Sequence, residues 1–226
     1  MVSRSSSLQE KNPFLRALKA LEHSQRKVVI VGGFAVVMHG VSRFTPDINV
    51  CIDFEPESFA LVLAELDKQG YTSDDLPDNP ATLLDSAVRT DWIQKHSKHC
   101  ISFSDIQAPT FRIDILLENT IPFPKLLEGS NQISVAGLTC HIASIEQLIE
   151  MKQQCGRPQD KSDIENLLLV KELNVESSVE QFIDRADGSF DMERRRSLVD
   201  FYRLPLEERM EWLKDMLAQL GQFCVV

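Results

Sequence analysis

A chain of 226 residues with a formal net charge of −10, 43% hydrophobic and 26% charged, has the composition of an ordinary folded protein, which excludes wholesale disorder. The acidic balance argues against a broad nucleic-acid-coating surface, because such surfaces carry a basic stripe. The longest apolar run, around Val28 to Met38, is interrupted by glycines and falls far short of the ~20 residues needed to cross a bilayer.

In chain order, the opening MVSRSSSLQEKN is polar and serine-rich with no apolar segment behind it. No secretory signal is expected there, and residues 1–12 are expected to be flexible. The five cysteines are odd in number and show no Cys-x-x-Cys spacing, which suits buried thiols in a reducing, cytoplasmic setting. A packing helix is predicted from Pro13 to about Ser24, with Phe14, Leu15, Leu18 and Leu21 on one face.

The next stretch, VVIVGGFAVVMHGVSRFTPDINVCI, runs from Val28 to Ile52 and reads as strand, glycine turn at Gly32-Gly33, short helix and second strand. Strand alternation puts Asp47 and Asn49 on one side and Ile48, Val50 and Ile52 on the other. Two oxygen-bearing groups then share a face beside a glycine turn whose backbone N–H groups can face an anion.

A helix from Pro56 to about Gln69 ends at Gly70, and YTSDDLPDNPATLL reads as an acidic, turn-rich loop with a short helix. Two strands, His99 to Phe103 and Phe111 to Leu117, are predicted with a longer loop from Ser104 to Thr110. Asp114 shares its face with Arg112 and Leu116, and an acid there is explained if it meets Asp47 across the sheet.

Gln132 to Ile142 suggests a hairpin turning at Ala136-Gly137. Ser144 and Gln147 form a capping-box signature for a helix to about Gln154, stopped at Gly156 with Pro158 just past it. Asp160 begins another helix with Ile164, Leu167 and Leu168 inward. Two further amphipathic helices broken by Pro205 are predicted, carrying Leu198, Phe201 and Tyr202, then Met210, Leu213, Met216 and Leu217. The Arg194-Arg195-Arg196 run reads as a solvated helix face, and His39 as a packed helix residue.

The central stretch resembles the signature of the nucleotidyltransferase superfamily that includes DNA polymerase beta: Gly-Gly, about a dozen residues, then Asp-x-Asp between apolar residues. Here thirteen residues separate Gly33 from Asp47, and Ile113-Asp114-Ile115 matches the family's later apolar-Asp-apolar triplet. Asn49 stands where the family has its second carboxylate. Lys152, Arg157, Asp160 and Asp163 resemble, in order, a pattern of the branch that includes AbiEii-type toxins, and Arg43 and Thr45 match that branch's R-x-T-x-D.

The resemblance implies an α/β (α+β) fold: a mixed sheet flanked by helices over residues 13–143, followed by a helical part over 144–226. It implies transfer of a nucleoside monophosphate from an NTP to an acceptor hydroxyl, with Mg²⁺ or Mn²⁺ held by Asp47, Asn49 and Asp114. Gly32, Gly33, Arg43, Thr45, Lys152 and Arg157 would bind nucleotide, and Asp163 would act as base or site-orienting acid. Lys and Asp at helix ends are also common as dipole partners and caps, and Arg43 can equally pair with a surface acid. Acceptors in this superfamily include transfer RNA ends, protein side chains and aminoglycosides, and the toxin branch implies an antitoxin protein partner. Asn49 opens a second reading, a catalytically weakened homologue that serves as nucleotide sensor or protein-binding scaffold.

Overall fold

The computed structural model describes residues 12–23 and 28–223. The expectations for residues 1–11 and Ser24 therefore lie outside the described residues. Asn12, placed by sequence in the flexible segment, is fully buried: its Oδ1 accepts from the Phe14 N–H at 3.0 Å and its Nδ2 donates to the Met210 carbonyl at 3.3 Å. It caps the first helix, α1 (Pro13–His23), as asparagines do at that position.

Seven strands form one mixed sheet. In chain order they are β1 (Val28–Val31), β2 (Asp47–Ile52), β3 (Tyr71–Thr72), β4 (Cys100–Asp105), β5 (Ala108–Leu116), β6 (Asn131–Val135) and β7 (Leu138–Ile142), arranged spatially as β3-β4-β5-β2-β1-β7-β6. β1 pairs antiparallel with β2, while β2 pairs parallel with β5 and β1 parallel with β7. The four central strands are buried on at least one face, and their valine and isoleucine content is what such a position selects.

Strand alternation divides β5 cleanly. Phe111, Ile113 and Ile115 are at most 1% exposed and face the α1 layer, where Phe14 meets Phe111 edge-on at 4.8 Å and stacks near Phe34 at 5.8 Å. Arg112, Asp114 and Leu116 project to the other face. Phe34 belongs to α2 (Gly32–Met38), which follows β1 directly.

The remaining helices are α3 (Pro56–Lys68), α4 (Ser86–His96), α5 (Phe123–Glu128), α6 (Ile145–Cys155), α7 (Pro158–Val175), α8 (Val179–Asp184), α9 (Gly188–Tyr202) and α10 (Leu206–Phe223). The Ser144 capping box forms, and Gly156 closes α6 at φ +67°, a left-handed value that favours glycine.

Several expectations are corrected. The β4–β5 loop is short, with only Ile106 and Gln107 between the strands, because the Asp105 carboxylate accepts from the Gln107 N–H at 2.8 Å and tightens the turn. Pro158 is the first residue of α7 and not a residue before it, and the inward face of that helix is Asp163, Leu167 and Val170, leaving Leu168 half exposed. Arg195 is buried, bonded to Glu172 at 2.9 Å, to Asp191 at 2.9 Å and to the Phe182 carbonyl at 3.0 Å. β3, α4 and α5 were not foreseen at all.

Among the described residues, no helix is long and apolar enough to cross a membrane.

Candidate functional site

The parallel β2–β5 pairing sets the first part of the site. Asn49 lies level with Asp114 and Asp47 level with Arg112, so Asp114 is opposite the amide and two residues along from the carboxylate expected to face it. On the other side of β5, Ser102 of β4 lies level with Asp114. Asp47 accepts a hydrogen bond from the buried Thr45 hydroxyl at 2.6 Å, which orients its carboxylate.

Asp114 is 8% exposed, and its Oδ1 has no hydrogen-bond partner among the described residues. Burial pushes its carboxyl above the ordinary aspartate range. A hydrogen bond from Ser102 opposes this, the charge of Asp47 adds to it, and Arg112 offsets part of it. A buried carboxylate oxygen without a donor is costly, so the arrangement is one that a positive ligand would relieve.

The glycine turn lies against these residues. Gly32 adopts φ +68°, and a Cβ there would come within 3.1 Å of Asn49 Cβ, so the amide packs directly on the turn. A Cβ on Gly33 would fall 1.5 Å from Arg43 Nη1 and 2.7 Å from Thr45 Oγ1. The missing side chain at Gly33 is what lets the Arg43 guanidinium lie on the turn beside Thr45 and Asp47.

Arg43 then reaches the second part of the site. Its Nε is 3.2 Å from Asp163 Oδ1, an ion pair without the alignment of a hydrogen bond, and among the described residues the buried Nε and Nη1 have no hydrogen-bond partner. Asp163 is fully buried and accepts from Lys152 Nζ at 2.6 Å and from Gln159 Nε2 at 2.9 Å. Lys152, 6% exposed, also donates to Asp160 at 3.3 Å.

Asp160 is the N3 residue of α7. It accepts from the Arg157 backbone N–H at 3.2 Å and from Arg157 Nε at 2.8 Å, while the Arg157 side chain is 73% exposed. Its carboxyl is lowered from the ordinary value because the hydrogen bonds and charges of Arg157 and Lys152 outweigh a burial effect that acts the other way.

The structure thus brings Gly32, Gly33, Arg43, Thr45, Asp47, Asn49 and Asp114 together on one side of the sheet. Lys152, Asp160 and Asp163 form a buried charge network joined to that group through Arg43. Arg157 lies at the exposed edge of the network, bound to Asp160, and Lys152 is enclosed by two aspartates. Those contacts make the two aspartates scaffold groups and make Arg43 the member of the network that touches the turn. His39 stands apart: its Nε2 is 2.8 Å from the Ala143 carbonyl, and burial lowers its pKa.

Sequence reasoning missed Ser102, whose place beside Asp114 depends on the register of β4 against β5, and missed that Arg112 lies level with Asp47, which depends on the register of β5 against β2. It also missed Asp75, which pairs with Lys98 at 2.7 Å and adds negative potential at Asp114. No sequence signal sets that register. Among the described residues, no group of three or more His, Cys, Asp or Glu side chains is placed to hold a metal ion. The oxygen donors at this place are the two carboxylates and the Asn49 amide.

No protein-family model matches the chain, and no curated protein matches it.

Proposed function

We propose that the chain binds a nucleoside triphosphate together with a divalent cation on the Asp47–Asp114 face and transfers the nucleoside monophosphate to an acceptor hydroxyl. The observation that carries this reading is the buried Oδ1 of Asp114, without a hydrogen-bond partner among the described residues, near a second carboxylate and level with the Asn49 amide that packs on the glycine turn. Asp47 and Asp114 would hold the cation, and their charged oxygens are the donors that Mg²⁺ and Mn²⁺ prefer. Once bound, such an ion neutralises charge on the phosphate oxygens and lowers the barrier to transfer.

The chain's own groups have distinct parts in this reading. Arg43, whose Nε end is held by Asp163 and whose Nη1 lies on the glycine turn, would take phosphate oxygens on its Nη end. Lys152 and Asp163 position it: Lys152 holds the Asp163 carboxylate, and that carboxylate anchors the Arg43 Nε end. Thr45 fixes the Asp47 carboxylate. In the transfer, a bond forms from the acceptor oxygen to the α-phosphorus, the acceptor's proton passes to solvent, the bond from the α-phosphorus to the α–β bridging oxygen breaks, and pyrophosphate leaves.

Asn49 supports a second reading, a nucleotide-binding protein that does not transfer. An amide gives a cation only a neutral oxygen, and here it packs on Gly32 in the position level with Asp114. Incubation with each α-labelled NTP, Mg²⁺ or Mn²⁺, and RNA, protein or aminoglycoside acceptors separates the two. Label transferred by the parent protein supports transfer. Label transferred only by Asn49→Asp supports the binding protein, and no nucleotide binding by either version removes both.

A further inference from the structure

Away from the carboxylates, at the other end of β2, lies a pocket of about 350 Å³, within the size range of small-ligand sites. Ile52 marks its floor, so it is separated from Asp47 by the length of β2, roughly 16 Å at ~3.3 Å per residue. Phe54, Ile93 and Phe123 supply apolar wall.

The polar content of the pocket is unusual in one respect. Arg89 of α4 is fixed there by three backbone carbonyls: Nε donates to Leu117 at 3.0 Å, and Nη1 to Leu83 at 2.6 Å and Leu84 at 3.1 Å. Its guanidinium carbon lies over the Phe54 ring, 4.1 Å from the centroid. Carbonyl oxygens and a ring face hold the geometry without cancelling the charge, and among the described residues Arg89 forms no ion pair. Burial pulls its pKa below the ordinary value, and the nearby Asp85 raises it. A second group is also incomplete: Asn119 Oδ1, on the pocket wall, is buried and has no hydrogen-bond partner among the described residues.

A fixed cation, an unpartnered acceptor and apolar walls together describe a ligand. We propose that this pocket binds a small organic monocarboxylate with an apolar or aromatic body and one hydrogen-bond donor, its carboxylate on Arg89 Nη2, the guanidinium nitrogen that the three carbonyls leave open, and its donor on Asn119 Oδ1. A single negative charge matches a single guanidinium. A phosphate dianion would face more repulsion, because Glu118 stands on the rim, turned toward His99 at 2.6 Å, and Asp85 is close to Arg89. Neither the carboxylates on the far face nor the charge network around Lys152 takes part, so this site stands or falls independently of nucleotide binding.

The test uses the full chain and three probes followed by calorimetry and ligand-observed NMR: 4-hydroxyphenylacetate, its neutral amide, and phenyl phosphate. The carboxylate is expected to bind saturably near ~1 mM, with the amide and the phosphate each about tenfold weaker. Thr90→Trp, at an exposed position on the pocket wall, is expected to block the site and abolish binding while leaving the thermal unfolding curve in place. The proposal is overturned if the carboxylate shows no saturation below roughly 10 mM, or if the amide or the phosphate binds as tightly. Unchanged binding in the folded Thr90→Trp variant overturns it as well. The comparison of probes on the parent protein needs no variant.

Discussion

Asp114 and Asp163 are both buried aspartates, and they differ in what surrounds them. Asp163 receives hydrogen bonds from Lys152 and Gln159 and an ion pair from Arg43, so its charge is met on every side. Asp114 has one oxygen with no partner among the described residues and a second carboxylate, Asp47, raising its energy when ionised. The folding of the chain completes the first environment and leaves the second incomplete. A buried charge that is fully partnered belongs to the scaffold; one that is not marks where a ligand is needed.

The comparison can be broken most directly at Asp163. Asp163→Ala leaves the buried Lys152 and the partly buried Arg43 without their shared carboxylate, and destabilisation of about 3–5 kcal/mol is expected in urea unfolding. A loss under ~1 kcal/mol would mean that the network is not a structural unit. Gly32→Ala comes next. A left-handed φ of +68° and a Cβ 3.1 Å from Asn49 predict a cost of about 1–2 kcal/mol, measured in the same way.

The smallest of these effects has the opposite sign. Because Asp114 has a raised pKa in the folded protein, its ionisation costs stability above the ordinary aspartate value of 3.8. Asp114→Asn is therefore expected to stabilise the ligand-free protein at neutral pH. That gain should shrink as pH falls through the raised value and vanish below the ordinary one, where the carboxyl is protonated in both folded and unfolded chains. A destabilised Asp114→Asn at neutral pH would show that the carboxylate is satisfied after all.

How far the sequence could be read follows from range. The Val28–Ile52 stretch announces its own elements, because glycine turn, strand alternation and short helix are all local, and Ser144 with Gln147 does the same for α6. Asn12 was misplaced because its burial depends on Met210, 198 positions away. The level of Asp114 against Asn49, and not Asp47, is a matter of register between strands separated in the chain by α3, β3, α4 and β4, and no local pattern fixes that. Arg89 was invisible for a related reason: α4 lacks a clear apolar stripe, and its arginine acquires meaning only from carbonyls at Leu83, Leu84 and Leu117. The charge network was visible as residue types, yet the enclosure of Lys152 by Asp160 and Asp163 was not.

The most direct test of the central claim, that the incomplete aspartate is a nucleotide and cation site, is the melting temperature of the protein with each NTP, with and without Mg²⁺, beside Asp47→Ala. Ligand that binds only the folded state stabilises it by about 2.7 kcal/mol at one hundred times its dissociation constant. The expected result is an upward shift that requires both NTP and Mg²⁺ in the parent and is absent in Asp47→Ala. A shift of equal size in Asp47→Ala, or none in the parent with any NTP, would contradict the claim.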